Sequence, residues 1–226
     1  MLRAFAAALL LVLAVAGCGS DGDSGSSGAV KVVATTTQLG DIVRQVGGSA
    51  VDVTQLLQPN SDPHDYEPRP ADVQDTADAE IVFQSGDKLD DWMGEVVEQS
   101  GGDPAVVTLA DFNVQRVPGE SSGPEASRYD PHWWHDPRNV EAAVPAIRDA
   151  LTKANPAGEQ VYAANADAYL AKVRRLDAGI EACFSKVPAS ERKLVTDHDA
   201  FGYFARRYGL RVVGAVIPSQ TTQAQS

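Results

Sequence analysis

From Val30 onward, short runs rich in β-branched residues alternate with amphipathic stretches, and few folds accommodate that alternation. VKVVATT (30–36) reads as a buried strand, and QLGDIVRQVGG (38–48) carries helical spacing stopped by two glycines. VDVTQLL (51–57) is a second strand that runs into the proline-rich loop QPNSDPHDYEPRP. A short helix (71–78), strand EIVFQSG (80–86), helix LDDWMGEVVEQS (89–100) and strand AVVTL (105–109) continue the pattern. Strands separated by crossover helices pair in parallel, and a parallel sheet needs cover on both faces. The expected class is α/β, with parallel sheets flanked by helices.

The periodicity then changes. Tyr169, Val173, Leu176, Ile180, Cys183 and Val187 recur at steps of four and three, one stripe on a long helix of roughly 40 Å. So extended a helix reads as a spine linking two lobes. After it come a strand RKLVTD (192–197), a helix AFGYFARRYG (200–209) and a strand LRVVGAV (210–216). One such unit leaves unpaired sheet edges, so the second lobe is expected to be incomplete in this chain. The expected boundaries are an N-terminal α/β lobe at 30–155, a linking helix at 156–187 and a partial C-terminal lobe at 188–226.

The first residues have a different character. MLRAFAAALLLVLAVAGC carries one basic residue and an apolar run too short for a membrane span, so residues 1–17 read as a signal peptide. Val15-Ala16-Gly17-Cys18 resembles a bacterial lipobox, which marks Cys18 for lipidation and residues 18–29 as a polar, flexible tether. That predicts an extracytoplasmic protein held to the membrane by its lipid. With Cys18 so used, Cys183 is the one thiol left. The formal net charge of −12 and the lack of a basic stripe argue against nucleic acid as a partner.

Four histidines fall in three places: His64 after the second strand, His132 and His135 in YDPHWWHDPRN (129–139), and His198 just past strand 192–197. Ligand crevices of open α/β sheets form outside the carboxyl ends of strands, where His64 and His198 lie. Prolines stiffen the flanks, and Asp65 and Glu67 are candidate partners for the second ring nitrogen of His64. Asp136-Pro137 is a good helix start. His132 and His135 should therefore sit in extended chain and point to opposite faces, so that only one of them is a metal ligand.

Three stretches, DPHDYEP (62–68), DPHWWHDP (130–137) and TDHDAFGYFARRYGL (196–210), resemble the substrate-binding lipoproteins of bacterial zinc and manganese ABC importers. The resemblance covers nearly the whole chain from Val30. It implies a two-lobed substrate-binding fold, metal ligands at His64, His132 and His198, and delivery of the metal to a membrane permease. It also implies a fourth, carboxylate ligand from late in the second lobe, beyond this chain. Three imidazoles favour Zn2+, with Mn2+ the second choice. The family usually has an aliphatic residue where this chain has His135, and an aromatic one where it has Trp134, expected to shield the site from water. Some zinc members carry a histidine-rich loop before the second motif; residues 118–128 contain no histidine.

The resemblance points to capture and delivery rather than catalysis. Two other readings compete with it. A zinc hydrolase would use Glu67 or Asp199 as general base, though the chain has no HExxH or similar spacing. A surface adhesin lipoprotein would bind metal only incidentally.

Overall fold

The computed structural model describes residues 28–112, 115–122 and 126–216. The expected signal peptide, Cys18 and most of the expected tether lie outside the described residues. Four strands form one all-parallel sheet in the order β2-β1-β3-β4: β1 (Val30–Ala34), β2 (Val51–Gln55), β3 (Ile81–Gln84) and β4 (Ala105–Thr108). The strand order reverses at β1, so the carboxyl ends of β1 and its neighbours open onto a crevice.

Both faces of the sheet are covered, as its apolar strands require. Val30, Val32 and Ala34 of β1 with Ile81 and Phe83 of β3 join one core, which holds Leu39, Val43 and Ile147. Val33 and Val82 point the other way, onto Leu56, Met93 and Val96. Each such buried aliphatic side chain stabilises the fold by roughly 1.5–3 kcal/mol. Helix α1 (Thr37–Gly47) buries Leu39, Ile42, Val43 and Val46, a stripe at helical spacing. Its N-cap Thr36 accepts from the Leu39 amide, and Gly48 (φ 58°) ends it in a conformation that favours glycine. Helices α2 (Pro70–Ala77) and α3 (Trp92–Ser100) link β2 to β3 and β3 to β4.

Helix α4 (Pro137–Ala154) starts as its sequence indicates, with Asp136 capping the Arg138 amide and Pro137 at the first position. Next comes α5 (Glu159–Phe184), 26 residues or about 39 Å long. Its N-terminal part, as far as Val173, buries Tyr162, Ala166 and Val173 in the main core. The expected stripe is not continuous, however. Leu176 is 57% exposed, Cys183 is exposed, and Val187 lies past the helix end. Periodicity finds a helix face, but only neighbouring elements bury it.

The second half of α5 meets α6 (Gly202–Tyr208) instead. Arg207 Nη2 donates to Asp177 at 2.6 Å, Tyr208 Oη donates to the same carboxylate at 2.8 Å, and Phe184 packs on Phe204 and Tyr208. Burial works against the Asp177 charge, but these two donors outweigh it and hold its pKa below the usual carboxylate range. Helix α6 lies between β5 (Lys193–Thr196) and β6 (Arg211–Ala215), which form a separate two-stranded parallel sheet with Val195 64% exposed.

Candidate metal centre

The loop after β2 is fastened along its length. Leu56 and Leu57 amides donate to the Ala34 and Thr35 carbonyls, extending the sheet's bonding past the strand end. Trp92 Nε1 donates to the Pro63 carbonyl at 2.9 Å, and Tyr66 packs on Trp92 while its hydroxyl donates to Asp72 at 2.6 Å. Between these anchors, the Asp62 carboxylate accepts from the His64 amide at 3.0 Å, closing a tight turn. Asp62 is thus the carboxylate bonded to the backbone of this histidine.

The second motif is held more firmly still. Asp130 Oδ1 accepts from the His132 amide at 2.9 Å and stands 2.8 Å from His132 Nδ1. A carboxylate can only accept, so the ring proton sits on Nδ1 and the Nε2 lone pair is left for a metal. Trp133 is fully buried and donates through Nε1 to Ser85 Oγ, beyond β3, while its carbonyl accepts from Asn139 Nδ2. Tyr203 of α6 donates to the Asp130 carbonyl at 2.9 Å and accepts from the Val117 amide. In the third motif, Asp197 Oδ1 accepts from the His198 amide at 2.9 Å and lies 3.1 Å from its Nδ1. Sequence reasoning missed these three aspartates, although each stands one or two residues before its histidine.

The loops bring the histidines together. His64 Nε2 and His132 Nε2 are 3.5 Å apart. Two nitrogens on a tetrahedral zinc, each about 2.0–2.1 Å from the ion, stand about 3.3–3.4 Å apart. The His132 and His198 ring centroids are 5.6 Å apart, close to the 5.4 Å of the His64–His132 pair. Among the described residues no three His, Cys, Asp or Glu side chains stand in a finished metal-holding arrangement. His64 and His132 form a close pair, and His198 lines the same cavity of about 200 Å³. Thr36, Trp134 and His135 line the same cavity.

One expectation fails here. Residues Trp133–His135 form a tight 3-10 turn, closed by the His135 amide donating to the His132 carbonyl, not extended chain. Residues three apart in such a turn lie on the same side, so His132 and His135 face one cavity, their ring centroids 6.5 Å apart. Prolines 131 and 137 restrict only the residues before them; the turn is set by the bonds of Trp133 to Ser85 and Asn139. His135 stacks on Phe201 at 4.5 Å, and Trp134 stands edge-on to His132 at 5.5 Å.

Burial favours neutral rings at His64 and His135. Burial, and then the neighbouring His132, lower the pKa of His64 to about 4; the same two causes lower His135 to about 4. Neutral imidazoles are the metal-binding form. Glu67 and Asp199, the bases a hydrolase would need, are both exposed, and Asp199 lines a different hollow together with Asp130 and Glu120.

Comparison with known proteins agrees with this architecture. The manganese-binding lipoprotein MntA of Halalkalibacterium halodurans is 33% identical over 208 residues, covering 91% of this chain and 67% of that protein. The iron-binding protein YfeA of Yersinia pestis is 33% identical, covering 81% of this chain and 58% of the relative. The structure of the periplasmic zinc-binding protein TroA of Treponema pallidum superposes with a TM-score of 0.77 at 32% identity, over 88% of this chain and 71% of that one. The chain thus spans between about half and three quarters of the length of these relatives. The family model for the periplasmic zinc-uptake complex component A matches residues 32–226, and the chain belongs to that family.

Proposed function

We propose that this chain captures a divalent metal outside the cytoplasm and delivers it to the permease of an ABC importer. His64, His132 and His198 are the ligands in this reading. The observation that carries it is the 3.5 Å separation of the His64 and His132 Nε2 atoms, with Asp130 fixing the His132 tautomer. The relatives' names divide among manganese, iron and zinc, so the choice of metal rests on donor chemistry. Nitrogen donors at tetrahedral spacing suit Zn2+; Mn2+, which prefers oxygen, is the second choice.

In this reading residues 30–155 form one lobe, residues 156–187 a linking helix, and residues 188–226 part of a second lobe. The first lobe brings His64 and His132, the second brings His198, and α5 limits how far the two part. Cys18 carries the lipid that keeps the protein at the membrane; among the described residues no helix is long and apolar enough to cross it. Binding and release, not bond chemistry, is the task.

Zinc titration calorimetry on the full chain tests the site. Wild type should bind one ion, and His64→Ala and His132→Ala should each weaken binding at least tenfold. Absence of binding by wild type would overturn the reading. Growth of a deletion strain under zinc limitation separates uptake from adhesion, since only loss of an uptake component gives a growth defect that added zinc relieves.

A further inference from the structure

All four histidines of the chain border one cavity, yet the ligand set uses three. The fourth, His135, does not have a ligand's geometry. Two imidazoles on one tetrahedral zinc hold their ring centroids about 5 Å apart, and the His132–His135 separation is 6.5 Å. To reach the ion, the His135 ring would have to move off Phe201, on which it lies at 4.5 Å with the planes 26° apart.

Phe201 follows His198 by three residues, in the short connection between β5 and α6. Ala200, buried beside it, lines the metal cavity along with His198. The turn that carries His132 therefore also grips the loop that carries His198, through one flat aromatic contact. Tyr203 makes a second attachment, to the Asp130 carbonyl, but it holds the body of α6 rather than the loop ahead of it. Offset-stacked rings are attractive beyond the area they bury, and a stack also fixes their relative orientation.

We propose that His135 is a positioning residue: its stack on Phe201 sets the His198 loop against His132 and so governs how tightly the site retains its metal. This rests on the metal-capture reading above.

The test is a Zn2+ competition titration of the full chain and five variants, with thermal melting of each metal-free protein as a check on folding. His135→Ala should weaken zinc binding about threefold to tenfold, the range expected for one lost aromatic stack. His135→Phe, which keeps the stack and removes the nitrogens, should restore affinity to within about twofold. Phe201→Ala should reproduce the His135→Ala loss from the other side. In a His198→Ala background, His135→Ala should have no further effect, because the ring acts through His198. The proposal is overturned if His135→Phe binds as weakly as His135→Ala, which would make the imidazole itself a ligand. It is also overturned if the loss persists without His198, or if neither stack partner matters. Any of these results with zinc still bound by wild type leaves metal capture standing; a wild type that binds no zinc removes both.

Discussion

Asp130 Oδ1 holds His132 twice, accepting from its amide at 2.9 Å and from its ring Nδ1 at 2.8 Å. One oxygen thus fixes the backbone turn, the ring orientation and the tautomer of the most buried histidine in the cavity. Tyr203 grips the same residue from the other side, through its carbonyl, so Asp130 is where α6 meets the turn that carries His132.

Asp130→Asn removes the carboxylate while keeping its size. The amide can accept one of the two bonds, but it offers an uncharged acceptor and can flip to present its NH2 to the ring. Zinc affinity should fall about 10- to 100-fold, the usual cost of losing a carboxylate behind a ligating histidine. Competition titration measures the loss, and nitrogen chemical shifts of the His132 ring report the tautomer. Unchanged shifts together with unchanged affinity would remove Asp130 from this role.

His132→Ala should cost far more zinc affinity than His135→Ala. The first deletes a ring whose Nε2 stands at ligand spacing from His64, and the second deletes a stacking partner. Calorimetry on the two variants side by side decides the order, and the reverse order would exchange their roles.

Gly202→Ala tests the same junction without touching a histidine. A Cβ at that position would stand 2.9 Å from Asp130 Oδ2, closer than real Cβ contacts allow, so something must shift. The carboxylate is buried and already bonded to His132, and it cannot swing away without releasing that ring. Zinc affinity should drop by at least threefold, about 0.7 kcal/mol, with a smaller change in the melting temperature. An alanine variant that binds like wild type would show that α6 can move back freely.

The sheet, its helices and the grouping of His64, His132 and His198 were legible in the sequence, because each leaves a local mark. Buried parallel strands are continuous apolar runs, α1 has a regular stripe, and the three histidines lie in loops, inside motifs that resemble a known family. The turn at Trp133–His135 was not legible. Its proline flanks suggest extended chain, and it is held by bonds to Ser85 and Asn139, 48 and 6 residues from Trp133. The exposure of Leu176 was hidden for a related reason: spacing identifies the apolar face of α5 but not how much of it has a neighbour.

Metal-free protein should lose stability as pH falls from 6.5 to 4. Burial, followed by repulsion from His132, lowers both His64 and His135 to about 4, whereas each would titrate near 6.5 in the unfolded chain. Between those values the unfolded state binds protons that the folded state refuses, so acid favours unfolding. The stabilising difference is fully present above pH 6.5 and is lost as pH falls through that window. Melting temperatures measured every half unit from pH 7.5 to 4 should therefore decline most steeply below 6.5. His135→Phe removes one of the two titrating rings while keeping the stack, so its decline should be about half as steep. Zinc held by neutral rings steepens the dependence for loaded protein, because protonation then also expels the ion. A metal-free melting temperature that stays flat from pH 6.5 to 4.5 would mean that the cavity admits enough water to keep these imidazoles at their ordinary basicity.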